Sequence, residues 1–175
     1  MKAAALLPSV SMEEYLRTAY RPDCDYVDGK VLERNVGEHD HGDLQSEFVH
    51  YLRLRRKQWK LHAVIEQRVQ VSATHFRVPD VCVVASAASH PAIYREPPFI
   101  CIEVLSPEDR QSRIQQKIDG YLKFGVPNVW VIDPETRRVW VYTTDGSREV
   151  KDGMLRTENP AIEVNLAEVF GGLES

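Results

Sequence analysis

Two acidic residues interrupt the most apolar stretches of the chain. Asp80 lies in RVPDVCVV (77–84) and Glu103 in FICIEVLS (99–106). The second run is almost unbroken in apolar residues, the pattern of a strand buried on both faces. A carboxylate there must be protonated, paired with a cation or bound to a metal, because an isolated buried charge is too costly to keep. Two such acids on adjacent central strands, facing the same side, make an oxygen-rich pocket suited to Mg²⁺ or Mn²⁺. For either acid alone, pairing with an arginine such as Arg77 or Arg110 is the better reading.

The rest of the pattern supplies an α/β frame. Ser11-Met-Glu-Glu14 has the form of a capping box, so a short helix is expected there. DYVDGKVLE (25–33) alternates around Asp28-Gly29, which predicts a hairpin. Leu44, Phe48, Tyr51, Leu52 and Trp59 recur at helical spacing and predict a helix over roughly 42–58. Three strands are expected at 63–71, 77–84 and 99–106. Ser106-Pro-Glu-Asp109 reads as a helix start, with serine as cap and proline at the first position. Its buried stripe is Ile114, Ile118, Tyr121 and Leu122, and Gly125 and Pro127 end it. A strand at 128–133, another at 138–143, a hairpin at Asp145-Gly146 and a tail of strand then helical turn complete the order. A mixed sheet flanked by helices is the architecture this implies.

The 175 residues, 43% hydrophobic and 27% charged, fit one domain over 11–175 behind a loose start at 1–10. MKAAALLPSV has one lysine and an apolar stretch broken by Pro8, so it reads as that loose start rather than a secretion signal. No apolar run is long enough for a membrane span. Cys24, Cys82 and Cys101 form no CxxC element and are odd in number, which argues against a disulfide framework or a zinc site. A cytoplasmic setting fits. Net charge is −4, which argues weakly against a strongly nucleic-acid-binding surface, yet RLRRKQWK concentrates Arg53, Arg55, Arg56, Lys57 and Lys60. That run is either a solvated helix face or a phosphate-contacting patch.

Lys117 is the third element of the candidate site. Glu103 precedes the Ser106 cap by roughly 10 Å of strand at about 3.3 Å per residue. Lys117 lies about 15 Å into the following helix. A helix that doubles back over the sheet returns it to within ~5 Å of the level of Glu103, inside the reach of a lysine stem. A lysine snorkelling at the border of the buried stripe is the competing reading.

The order α-β-β-β-α-β, with Pro79-Asp80 on one strand and Glu103 on the next, resembles the PD-(D/E)XK nuclease superfamily. More closely, the chain resembles the Uma2 family of restriction-endonuclease-like proteins. The matching pieces are MEEYL, the DYVDGKV hairpin, the helix start at His41, EQRV, RVPDVCVV, IEVLSPED, Lys117 with Tyr121, and GVPNVWVIDP. They span roughly residues 11–143. The superfamily's usual lysine would fall at Leu105, and in this family its place is taken on the following helix, where Lys117 stands.

The resemblance implies a restriction-endonuclease-like core with an N-terminal β-hairpin and a C-terminal β extension. It implies metal-assisted hydrolysis of phosphodiesters, with Mg²⁺ or Mn²⁺ held by Asp80, Glu103 and the backbone carbonyl of Val104. Lys117 would position the attacking water or stabilise developing charge. Glu47, Glu66 and Tyr121 are supporting candidates, and His41 would contact phosphate or the second acid. The implied partner is DNA, with a homodimer left open and no membrane. A non-cleaving nucleic-acid-binding module and a metal-dependent hydrolase of another phosphate ester remain alternatives, since fold alone does not assign function.

Overall fold

The computed structural model describes residues 9–35 and 39–174. Most of the expected loose start, residues 1–8, lies outside the described residues. The chain opens with α1 (Met12–Arg17), β1 (Asp25–Val27), β2 (Lys30–Leu32), α2 (His39–Leu54) and α3 (Arg56–Trp59). Six strands follow: β3 (Leu61–Ile65), β4 (Arg68–Ser72), β5 (His75–Arg77), β6 (Val81–Ala85), β7 (Ile93–Tyr94) and β8 (Ile100–Val104). Then come α4 (Gln111–Phe124), β9 (Asn128–Asp133), β10 (Arg138–Thr143), β11 (Gly146–Glu149), β12 (Met154–Thr157), β13 (Ile162–Asn165) and α5 (Leu166–Gly171), closed by a 3-10 turn at Gly172–Glu174.

The central sheet has the order β11-β10-β9-β8-β6-β3. β3, β6 and β8 are antiparallel neighbours, and β9 runs parallel to β8. A parallel neighbour needs a crossover, which α4 provides. The run α2-β3-β6-β8-α4-β9 is therefore the expected α-β-β-β-α-β core. A second sheet, β2-β1-β5-β4-β7, stands beside it, and β12 pairs with β13.

Period-two alternation decides which side of the central sheet each residue serves. Ile100, Ile102 and Val104 of β8 pack with Leu44, Phe48 and Leu52 of α2. Cys101 points the other way and packs with Ile118 and Tyr121 of α4. Glu103 shares the parity of Cys101, so it too faces α4. Burying a side chain such as Ile118 contributes about 1.5–3 kcal/mol, and the stripe it belongs to fixes the rotation of α4. Asp28 and Gly29 take positive φ, 48° and 84°, as the β1–β2 hairpin requires. Gly125 caps α4 in the left-handed region at φ 108°.

Four local expectations need correction. The stretch 63–71 is not one strand: it breaks at Glu66, whose φ is 50°, and β3 and β4 enter different sheets. The stretch 77–84 likewise splits, because Val78-Pro79-Asp80 carries the chain from β5 in one sheet to β6 in the other. The helix expected over 42–58 starts at His39 and is interrupted at Arg55. Finally, α4 begins at Gln111 rather than at Ser106. Asp109 accounts for this: its Oδ2 accepts from Ser106 N at 2.7 Å and its Oδ1 from Asn35 Nδ2 at 2.7 Å. Its own N–H donates to the Ser106 carbonyl, closing a turn before the helix begins.

Candidate active site

Asp80 sits one residue before β6, and Glu103 sits near the end of β8. Both are 3% exposed, and Lys117 of α4 is 6% exposed. All three line one recess with about 20 Å³ of space for a water-sized body. Arg34, Asn35, His41, Val104, Ser106, Asp109, Arg113 and Ile114 complete its wall.

Glu103 accepts from Lys117 Nζ at 2.5 Å and from the Tyr121 hydroxyl at 2.6 Å. Lys117 and Tyr121 are four residues apart and share a helix face, so one turn of α4 delivers both donors. Burial pushes the Glu103 carboxyl above its ordinary range, and the negative charge of Asp80 adds to this. The Lys117 ammonium and the Tyr121 hydroxyl act against that rise. Burial disfavours the charge on Lys117, but Glu103, Asp25 and Asp80 outweigh it and hold the ammonium protonated above its usual range. Tyr121 stays a hydroxyl: burial and the Glu103 charge push its pKa well up.

Asp80 is held by a different set. Its Oδ1 accepts from Arg34 Nη2 at 2.5 Å, and its Oδ2 accepts from Val104 N at 2.8 Å. His41 Nε2 stands 3.3 Å from Oδ2. The backbone carbonyl of Asp80 accepts from Gln45 Nε2 and from Glu66 N. Burial opposes ionisation, but His41 and Arg34 more than offset it, and the carboxyl sits below its usual range. The arginine partners suggested by sequence are not the ones used. Arg77 pairs with the fully buried Asp25 at 3.1 Å, and the partner of Asp80 is Arg34.

The remaining candidates divide. His41 lines the recess. Glu66 is exposed: its side chain meets Arg34 Nη1 at 3.5 Å, and its backbone N–H donates to the Asp80 carbonyl. Glu47 packs against Gly172 and takes no part in the recess wall. The basic run lies at the far end of α2, where Arg53 is about 18 Å along the helix axis from His41. Arg53 donates to the Ala63 carbonyl, and Arg55 lies over the Tyr51 ring and near Glu168. None of the residues of the basic run lines the recess.

Sequence reasoning missed Arg34 and Asn35, both on irregular backbone after β2, and the part played by Ser106. The Ser106 hydroxyl is buried in the recess wall and has no hydrogen-bond partner among the described residues. An orphaned buried hydroxyl is rare in a finished core and points to something that binds beside it.

The donor chemistry suits a hard cation. Each ionised carboxylate offers about four acceptor positions, so the three partners of Asp80 and the two of Glu103 leave capacity for an ion. Among the described residues, no group of three or more His, Cys, Asp and Glu side chains is arranged to hold a metal. Two carboxylates with a main-chain carbonyl, water and phosphate is nonetheless how Mg²⁺ is commonly held.

Comparison with known proteins agrees with this frame. No curated protein matches the chain. Among solved structures, one described as a "putative nuclease belonging to DUF820" from Anabaena variabilis superposes with a TM-score of 0.82. It is 24% identical, and the match covers 94% of this chain and 99% of that one. The likeness establishes the fold. Among the described residues, no helix is long and apolar enough to cross a membrane. The profile of the Uma2 family, described as "Putative restriction endonuclease", matches residues 12–173, nearly the whole chain, and the protein belongs to that family.

Proposed function

We propose that the chain is a divalent-metal-dependent endonuclease that hydrolyses DNA phosphodiester bonds. The observation that carries the reading is the meeting of Asp80, Glu103 and a protonated Lys117 on one buried recess. Asp80 and Glu103, with the Val104 carbonyl, would hold Mg²⁺ or Mn²⁺. The ion, when bound, supplies Lewis-acid polarisation of a phosphate oxygen and a more acidic water. Lys117 has no free lone pair while protonated, so it cannot act as the base. Its part is electrostatic: it faces the negative charge that grows on the phosphoryl oxygens as water attacks phosphorus and the P–O bond breaks. Tyr121 holds Glu103 in one orientation by donating to the oxygen that Lys117 leaves free.

A lysine beside a filled metal site adds positive charge, which is favourable only when an anion also enters. A phosphodiester supplies it, and its transition state carries more charge near the ion than its ground state. The test is incubation of supercoiled plasmid with Mg²⁺ or Mn²⁺ over a range of salt, with EDTA and Asp80→Asn as controls. Metal-dependent nicking that is lost in both controls supports the reading. Absence of nicking, with Mn²⁺ bound, would sink it in favour of a non-cleaving binder or another phosphate ester. One observation favours the non-cleaving binder: both carboxylates already carry a cation, Arg34 on Asp80 and Lys117 on Glu103.

A further inference from the structure

The recess is charge-balanced as it stands. Asp80 faces Arg34, Glu103 faces Lys117, and Asp25 faces Arg77 close behind, with His41 beside Asp80. Entry of a divalent cation adds two positive charges to a buried site of low dielectric, where like charges repel far more than in water. Something positive must withdraw, or an anion must arrive.

The resident cations differ in how firmly they are tied. Lys117 projects from the middle of α4 and is buried on Glu103. Arg77 ends β5, paired with a fully buried acid. Arg34 is carried on irregular backbone after β2, outside any helix or strand. Its guanidinium already spans two acids: Nη2 is 2.5 Å from Asp80, and Nη1 is 3.5 Å from Glu66, whose side chain is 40% exposed. A second resting place therefore exists toward solvent, on the same fork. The planar guanidinium is also the side chain best matched to a phosphate, since two of its N–H groups reach two oxygens at once.

Resting on the metal-dependent reading above, we propose that Arg34 is an exchangeable counter-ion. It neutralises Asp80 while no divalent cation is bound, yields Asp80 to the cation, and then pairs with the phosphate that arrives with it. Arg34 is in this sense a substrate-positioning residue as well as a guard on the metal site. The arrangement disfavours a bare metal without substrate, because the cation must displace Arg34 before the compensating anion is present.

The test separates this inference from the metal reading. Mn²⁺ is titrated calorimetrically, without DNA, into wild type, Arg34→Gln and Asp80→Asn. Arg34→Gln is expected to bind Mn²⁺ about tenfold more tightly than wild type, or better, since close buried charge pairs are worth at least that ratio. Its thermal midpoint is expected to fall without metal and to rise on Mn²⁺ addition by more than wild type does. At saturating Mn²⁺ it is expected to bind a short DNA duplex more weakly. Mn²⁺ affinity unchanged or weakened in Arg34→Gln, with binding lost in Asp80→Asn, overturns the exchange and leaves the metal site standing. No Mn²⁺ binding by wild type or Arg34→Gln overturns the metal reading, and the exchange with it. Wild type offers a second measurement that does not depend on Arg34→Gln folding. The Arg34 side-chain nitrogen resonances, assigned by their absence in Arg34→Lys, are expected to shift on Mg²⁺ addition. Resonances unmoved at Mg²⁺ concentrations that saturate the site overturn the exchange.

Discussion

Lys117 Nζ lies 2.5 Å from Glu103 Oε2, although the two are 14 residues apart and belong to different elements. The pair is buried, so removing either member strands the other as an uncompensated charge. Lys117→Ala is expected to lose about 3–5 kcal/mol of stability without metal. Mn²⁺ should return part of that loss, because a cation beside Glu103 does what the ammonium did. In plasmid cleavage, turnover should fall by about a hundredfold or more while DNA affinity changes little, the pattern of a group that acts mainly in the transition state. Equal nicking by wild type and Lys117→Ala would remove the lysine from the chemistry.

Asp80→Asn keeps the shape of the side chain and its acceptance from Val104 N, but removes the charge that Arg34 and a metal would share. The expected outcome is loss of Mn²⁺ binding in calorimetric titration together with a lower thermal midpoint. Glu103→Gln should behave alike through Lys117. Mn²⁺ binding that survives both substitutions would show that neither acid is a ligand.

Asp25 gives a pH dependence with a definite sign. Burial pushes its carboxyl up, but Lys117, Arg77 and the hydrogen bond from Val78 N outweigh that and hold it below its usual value. A carboxyl depressed in the folded state stabilises the fold above its unfolded pKa of about 3.9, and that contribution is lost as pH falls through the folded value. Asp25→Asn should therefore cost about 3 kcal/mol at neutral pH, where it leaves Arg77 unpaired. Thermal midpoints of wild type and variant should converge below about pH 4. A gap that stays constant from pH 7 to pH 2 would mean that the charge of Asp25 contributes nothing.

Much of this frame was legible because local chemistry and tertiary position agree. The apolar runs at β8 and β9, the Asp28-Gly29 turn and the Gly125 stop mean the same thing locally and in the fold. The two acids were legible because burial leaves a carboxylate few options. What failed shares another cause. Nothing about a glutamate announces the left-handed backbone at Glu66 that sends β3 and β4 into separate sheets. Ser106-Pro-Glu-Asp has the chemistry of a helix start, but Asp109 is drawn into a turn by Asn35, a partner 74 residues away. Arg34 is 46 residues from Asp80, on a loop with no periodic signal. Buried acids predict that cations come to meet them. They do not say from where.

Gly125→Ala tests the end of α4 apart from the recess. The residue sits at φ 108°, and a Cβ there would stand 3.2 Å from Pro97 Cγ. An L side chain is strained at that φ, whatever the exposed Pro97 ring yields, so a loss of about 1–2 kcal/mol is expected. Calorimetric melting should show it, while turnover well below the melting temperature should match wild type. A thermal midpoint equal to wild type would mean that the turn after α4 readjusts without cost.

Ser106→Ala distinguishes a site held ready for a ligand from an imperfect core. A buried hydroxyl without a partner costs stability, and on structural grounds alone alanine is the better residue. The variant is therefore expected to melt at or above the temperature of wild type. The hydroxyl lines the recess shared by Asp80, Glu103 and Lys117, where a water or a phosphate oxygen is its natural partner. If that partner arrives with substrate, Ser106→Ala should raise KM or lower turnover in the plasmid assay even as the fold gains stability. The two effects have opposite signs, so general damage to the protein cannot imitate them. Unchanged kinetics with a raised midpoint would make Ser106 a packing defect, while a lowered midpoint would mean that its hydroxyl already has a structural partner in solution.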